Sequence, residues 1–270
     1  MSLFKKYLTL FLLTFFLIFS AACQKSTDST TLKVGTIAGP ETELMQVAQE
    51  LAKKEYGLDV KVIPFTDYTI PNEALADGSI DVNVFQHAPY LREAVAKRHY
   101  KIVEVGKTFI YPMGLYSSKI RHIEQLAPGA TVAIPNDASN EARALLLLQS
   151  AGLITLKTET SGLVTPRDIV SNPKNLKWKE IDASQLPRVL TDVDIAAINT
   201  NYAMLADLLP SRDALFVEAA HSPYANIIVV KEGDEGDARI KQLIRVLHSD
   251  AVLKKADTLF KGQALPAWKQ

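Results

Sequence analysis

Cysteine is nearly absent from this chain. Cys23 is the only one in 270 residues, so no internal disulfide can form. Net charge is absent as well: 30 Lys and Arg offset 30 Asp and Glu, and no basic run stands out. That balance argues against nucleic acid as the main partner. Catalytic signatures are missing too. There is no G-x-S-x-G, no H-E-x-x-H and no Cys pair. The 5 histidines are dispersed, with no pair at metal-ligand spacing, so neither metal nor cofactor is expected. Gly106-Lys107-Thr108 mimics the end of a P-loop. However, the position that needs the first glycine holds Lys101, and a strand-like run follows where a helix is required. No short-period repeat is visible. What remains is a chain that is 47% hydrophobic and long enough for two lobes with cores of their own.

The amino terminus is the one strongly biased segment. Lys5 and Lys6 precede a continuous apolar run, Tyr7–Phe19, and Ser20-Ala21-Ala22 leads directly into Cys23. Basic, apolar and small, in that order, is the layout of a secretory signal peptide, here residues 1–22. The run is shorter than the ~20 residues a spanning helix needs. Small residues before the only cysteine resemble a bacterial lipobox, although Ser20 stands where Leu is usual. The resemblance implies cleavage before Cys23 and acylation of its sulfur, with palmitate-type chains anchoring the protein in a bilayer. Ordinary cleavage leaving a free thiol is the alternative. Residues 23–31 are polar and Ser/Thr-rich and read as a flexible tether, so the folded part is expected to begin near Leu32.

From there strand and helix signals alternate. Strands are predicted over Leu32–Ile37, Asp59–Pro64, Asp81–Phe85, Lys101–Val105, Ala130–Ile134, Leu176–Ile181 and Ile195–Ile198. Helices are predicted over Glu41–Tyr56, Pro71–Ala76, Tyr90–His99, Ser139–Ser150, Gln185–Leu190, Tyr202–Leu208 and Asp237–Lys255, with a helical tail to Gln270. This alternation points to parallel, helix-covered sheets. Two long extended apolar runs, Thr108–Ser117 and Tyr224–Val230, break the rhythm. They suggest two α/β units joined by crossings near 108–112 and 220–226.

Three groups could form a site. Phe65 and Tyr68 follow the second strand, and Phe85, His87 and Tyr90 follow the third, at the sheet end where open α/β folds bind ligands. Asn140 and Arg143 lie three apart in the first turn of a helix, where free N–H groups and a guanidinium suit a carboxylate. Plain helix capping with a solvated arginine reads equally from the same residues. Asn199 and Asn201 end another strand, and Asn226 interrupts an apolar one, which is costly unless its amide is satisfied.

Taken in order, DYTIPNEAL, FQHAPYL, the IYP crossing, VAIPND, N-x-x-R, QLPR, INTNYA and SPYAN resemble the NlpA/MetQ family of methionine-binding lipoproteins of ABC importers. The resemblance covers essentially the whole mature chain. It implies a two-lobed Venus-flytrap α/β fold, with residues 32–108 plus 224–270 in lobe 1 and 109–223 in lobe 2. Phe65, Tyr68, Phe85, His87 and Tyr90 would enclose the thioether of L-methionine, a soft sulfur suited to aromatic rings. Arg143, aided by Asn140, would hold the carboxylate, and Asn199, Asn201 and Asn226 would hold the amino-acid backbone. No carboxylate stands out for the ammonium, so amide oxygens or backbone carbonyls would accept it. The implied partners are a permease with its ATPase, and the implied location is the membrane, facing the periplasm or cell exterior. D-methionine, a methionine dipeptide, an adhesion role and an enzyme on the same scaffold stay open.

Overall fold

The computed structural model describes residues 31–158, 162–219 and 223–269. The expected signal peptide, Cys23 and residues 24–30 of the expected tether lie outside the described residues, as do 220–222 of the expected second crossing.

The chain enters β1 (Thr31–Ile37), so Thr31 is already in a strand, opposite Asp59. Next is helix α1 (Pro40–Tyr56). Pro40 opens it, Glu41 and Glu43 lie in its first turn, and Lys53 and Lys54 in its last, all in the sense that the helix dipole favours. Gly57 stops it at φ 67, a left-handed cap whose N–H reaches the carbonyls of Ala52 and Lys53. Then follow β2 (Asp59–Phe65), α2 (Ile70–Asp77), β3 (Val82–His87), α3 (Ala88–Arg98) and β4 (Ile102–Ile110). β3 starts one residue later than the sequence predicts and runs two further, to His87, and β4 runs on into the extended segment as far as Ile110. After Tyr111-Pro112-Met113 come β5 (Gly114–Tyr116), β6 (Thr131–Pro135), α4 (Ala138–Ser150), β7 (Thr155–Leu156), β8 (Ile169–Ser171), β9 (Lys177–Ile181) and β10 (Ile195–Ile198). The run closes with α5 (Thr200–Leu205), α6 (Pro210–Asp213) and β11 (Phe216–Val217). Finally β12 (Ala225–Lys231), α7 (Ala238–Leu247), α8 (Asp250–Phe260) and β13 (Leu265–Pro266) return to the first sheet.

The result is a two-lobed α/β fold. One sheet has the order β13-β4-β12-β3-β1-β2, and the other the order β11-β5-β10-β6-β9. Neither is purely parallel, which corrects the expectation drawn from alternation. β1 runs parallel to β2 and β3, and β6 to β9 and β10, but β12 is antiparallel to both β3 and β4. The reason is topological: β12 comes back from the other sheet and enters between two strands already laid down. Three helix expectations also change. Residues 183–189 form a 3-10 helix because Pro187 sits inside it. The predicted long helix from Asp237 breaks at His248-Ser249, where Ser249 caps α8 by accepting from the Val252 N–H. The tail beyond Lys261 is a turn, β13 and a 3-10 turn, not a helix.

Each sheet has its own apolar core. α1, α7 and α8 cover the first, with Leu44, Met45, Leu243 and Phe260 buried against Val34, Val82 and Ile228. α4 covers the second through Ala144, Leu145 and Leu148. A third cluster joins the two sheets, packing Ile37 and Phe85 with Ala133, Ile198 and Tyr202. Where β3 pairs with β12, His87 faces Asn226 but Val84 faces Ile228. Three steps on β3 therefore match two on β12, a bulge that re-phases the alternation of side chains. Asn83 and Gln86, three apart, come to share one side and hydrogen-bond at 3.0 Å.

Gly35 in β1 holds the floor beneath Phe65. A Cβ there would stand 2.7 Å from Ile80 Cδ1 and 2.9 Å from Phe65 Cε2. Gly35→Ala is expected to destabilise the protein by about 1–3 kcal/mol through overpacking. Thermal unfolding checks this: an unchanged midpoint would mean that both side chains swing clear.

Candidate functional site

The site lies between the two sheets, where β3 and the loop after β2 meet the starts of α4 and α5. Phe85 is fully buried. Its ring lies 5.9 Å from Tyr68 and 5.9 Å from Tyr90, the latter edge-on. Tyr68 also contacts Tyr202 of α5 at 4.9 Å. Edge and tilted contacts are the geometries aromatic quadrupoles favour. Tyr90 Oη donates to the Tyr68 carbonyl at 2.8 Å, and Tyr68 Oη donates to Asn201 Oδ1 at 2.7 Å, linking the two sheets. Phe65 stands slightly apart, at the edge of the same apolar cluster and over Gly35.

His87 ends β3 and caps α3. Its Nδ1 accepts the Tyr90 N–H at 3.2 Å, so the ring proton sits on Nε2, which faces Asn140 Oδ1 at 3.2 Å. Burial, reinforced by Arg143, pushes the imidazole pKa down to about 3, so His87 is neutral at every physiological pH. Asn140 Oδ1 also receives Asn199 Nδ2 at 2.8 Å, while Asn140 Nδ2 donates to Asp137 at 3.1 Å. Both ends of the Asn140 amide are thus engaged within the protein. Asp137 caps α4, accepting the Asn140 N–H at 3.0 Å, and burial raises its carboxyl pKa.

Arg143 is buried under the ring of Tyr224, its guanidinium carbon 4.6 Å from the centroid. Nε and Nη2 grip Glu218, the closest contact being Nη2 to Oε2 at 2.5 Å, and Nη2 also donates to the Tyr111 carbonyl at 2.9 Å. Nη1 makes no hydrogen bond among the described residues. Asn226 lies in β12 opposite His87 and donates from Nδ2 to Glu41 Oε1 at 2.8 Å and to the Phe85 carbonyl at 3.2 Å.

The structure therefore brings together Tyr68, Phe85, His87, Tyr90, Asn140, Asn199 and Asn201, with Arg143 and Asn226 flanking them. They close on a cavity of about 10 Å³ lined by Phe85, Gln86, His87, Asn140 and Asn199 and by Tyr68 and Tyr90. A second, outer pocket of about 410 Å³ shares Tyr68 and Tyr90. Beside the inner cavity two buried polar atoms have no hydrogen-bond partner among the described residues: Asn199 Oδ1, an acceptor, and Asn201 Nδ2, a donor. Such orphans are costly, on the order of 1–3 kcal/mol each, and call for a function. Chemically the arrangement offers an aromatic wall, one buried cation edge, one free acceptor and one free donor. It offers no activated nucleophile, and no group of three or more His, Cys, Asp or Glu able to hold a metal exists among the described residues.

Glu41, Glu218, Tyr202 and Tyr224 were not legible as site residues. Glu41 reads as an ordinary first-turn helix acid, and Glu218 sits in a short apolar stretch with nothing to mark it. The aromatic–Asn pair in PYAN was the one available pointer to Tyr224.

Comparison with known proteins adds a family and a fold. The profile of the family described as NlpA lipoprotein matches residues 32–268. The chain is 48% identical over 251 residues to the "D-methionine-binding lipoprotein MetQ" of Salmonella typhi, covering 92% of this chain and 93% of that one. An ABC-transporter periplasmic substrate-binding protein from Coxiella burnetii superposes with TM-score 0.85 and 60% identity, covering 87% of this chain and 100% of that chain. A nutrient-binding protein from Burkholderia cenocepacia, solved bound to methionine, superposes with TM-score 0.85 at 50% identity, covering 87% and 99%.

Proposed function

Because the chain belongs to the NlpA lipoprotein family, we propose that it is the solute-binding component of an ABC importer and that it captures methionine, the L-enantiomer foremost. The observation that carries this reading is the pairing of an aromatic wall with an orphaned acceptor and an orphaned donor, Asn199 Oδ1 and Asn201 Nδ2. Rings suit a thioether, and the two amide atoms suit the ends of a zwitterion. The Burkholderia relative's bound methionine supports the same ligand class.

In this reading Phe65, Tyr68, Phe85, His87 and Tyr90 enclose the side chain. Arg143, through Nη1, and Asn201 take the carboxylate, while Asn199 and Asn226 take the ammonium side. Asn140 acts by fixing Asn199 and His87. The inner cavity has room for about one water, so a methionine enters only when the lobes, residues 32–108 plus 224–270 and residues 109–223, swing apart. Ligand that contacts both lobes then stabilises the closed form by its differential affinity. The closed form docks on a permease whose ATPase supplies the work, and this chain performs no chemistry. Signal-peptide cleavage and acylation at Cys23 would tether it to the membrane facing the periplasm or cell exterior.

The name of the Salmonella relative favours a D-methionine reading of the same site. One calorimetric series with L-methionine, D-methionine, Gly-Met and L-serine discriminates. The expected result is saturable one-to-one binding of L-methionine and none of serine. Heat from none of the sulfur compounds would sink the reading and leave an adhesion role.

A further inference from the structure

Glu41 is a buried carboxylate with unfinished hydrogen bonding. The residue is 7% exposed, Oε1 accepts from Asn226 Nδ2 at 2.8 Å, and Oε2 has no partner among the described residues. It sits in the first turn of α1, far in sequence from β12, and none of the roles assigned above uses it. We infer that Glu41 is the positioning residue for the ligand's ammonium: it turns the Asn226 amide so that Oδ1 serves as acceptor, and it places a negative charge behind that amide. The inference rests on the methionine reading and extends it.

The orientation of the amide is not arbitrary. One end of Asn226 faces both Glu41 and the Phe85 carbonyl. A backbone carbonyl can only accept, so that end is the NH2 group and the other end is the oxygen. Asn226 Oδ1 makes no hydrogen bond among the described residues. An ammonium is three donors and no acceptor, so it requires an oxygen there. The charge argument runs the same way. A small cavity of about 20 Å³, large enough for one water, is lined by Glu41 with Leu44 and Met45 of its own helix, Val84 of β3, Thr108 and Phe109 of β4, Tyr111, and Leu247 of α7. Tyr111 is the sole titratable group among these neighbours, and Tyr68 and Tyr202 also sense the Glu41 charge. No described cation faces Glu41. Burial therefore pushes its pKa up to about 8, the Asn226 hydrogen bond opposing the rise.

A group poised there couples to its ligand. An arriving ammonium favours the ionised carboxylate, so binding lowers the Glu41 pKa and releases a proton. The affinity gain is absent well below the bound-state pKa, grows as pH rises toward 8, and levels off above it.

The test uses the whole protein and two ligands, L-methionine and its analogue without the amino group, 4-(methylthio)butanoate, titrated at pH 6, 7 and 8. In the wild type, methionine affinity should rise with pH by about tenfold for each unit by which binding lowers the Glu41 pKa, and the analogue's affinity should not. Glu41→Gln keeps an acceptor for Asn226 but no charge. It should weaken methionine about tenfold at pH 8 and flatten the pH profile, with the analogue unchanged. Glu41→Leu should weaken methionine further, again sparing the analogue. Equal weakening of both ligands, or a Gln variant that retains the wild-type profile, overturns the inference while leaving the methionine reading intact. A wild-type protein that binds neither ligand overturns the methionine reading itself. Thermal melts of both variants guard against loss of fold.

Discussion

Arg143→Ala is expected to abolish measurable methionine binding and, unlike the other substitutions at the site, to cost the fold heavily as well. Removing one partner of a buried, hydrogen-bonded charge pair costs about 2–5 kcal/mol of affinity, or roughly 30- to several-thousand-fold. The fold suffers separately because Glu218, its side chain 15% exposed, loses the hydrogen bonds from Arg143 Nε and Nη2 and keeps the Met113 N–H. Breaking a buried ion pair from one side costs up to about 3–5 kcal/mol. For a chain of this size that is a drop in Tm of roughly 6–20 °C. The alanine variant alone therefore cannot separate recognition from stability. The pair Arg143→Met with Glu218→Gln does, since it removes both charges and leaves two side chains of similar volume. That variant should melt near the wild type yet bind methionine as poorly as the alanine form. Undiminished affinity in the double variant would remove Arg143 from the carboxylate's partners. An unchanged Tm in the alanine variant would mean the ion pair carries little of the fold.

Asn72→Ala should rank next, through stability. Asn72, Asn83 and Gln86 form a buried amide triangle behind the aromatic wall. Asn72 Nδ2 donates to Gln86 Oε1 at 2.8 Å, and Asn72 Oδ1 accepts from Gln86 at 2.6 Å and from Asn83 at 2.9 Å. Truncation leaves Gln86 Oε1 with no donor and Asn83 with a stretched 3.4 Å bond to the Pro71 carbonyl. Two buried amides losing partners cost about 2–4 kcal/mol, a Tm drop of roughly 5–15 °C. Gln86 lines the inner cavity, so affinity should fall alongside. Scanning calorimetry with and without ligand checks both. A variant that melts like the wild type would mean that water replaces the lost amide at little cost.

Much of this architecture is legible in the sequence, for identifiable reasons. The strand leading to Phe85 and the helix that carries Asn140 and Arg143 announce themselves because local periodicity is a short-range property. The direction of β12 does not, because alternation of strand and helix carries no sign for a strand that returns from the other lobe. Amide orientation is similarly invisible: Asn140 offers both an acceptor and a donor on paper, and only the placement of His87, Asn199 and Asp137 uses up both ends. Glu41 was hidden by its own plausibility, since an acid in the first turn of a helix already has a routine electrostatic explanation. Glu218 was hidden by distance, its partner lying 75 positions earlier. Pro187 was visible, but whether it opens a helix or tightens one depends on packing that periodicity does not encode.

The bulge where β3 meets β12 has a consequence for how this site can change over time. One surplus residue between Val84 and His87 sets which side chains form the aromatic wall and which form the amide triangle. Losing it would not merely shorten a strand. Every side chain downstream would be handed to the opposite face, so Gln86 and His87 would trade surroundings and the helix cap at His87 would be lost. Point substitutions can tune such a pocket by degrees, but insertions and deletions at this spot exchange one chemistry for another in a single step. Lineages that keep the ligand are therefore expected to hold the length of this strand fixed while its individual side chains drift.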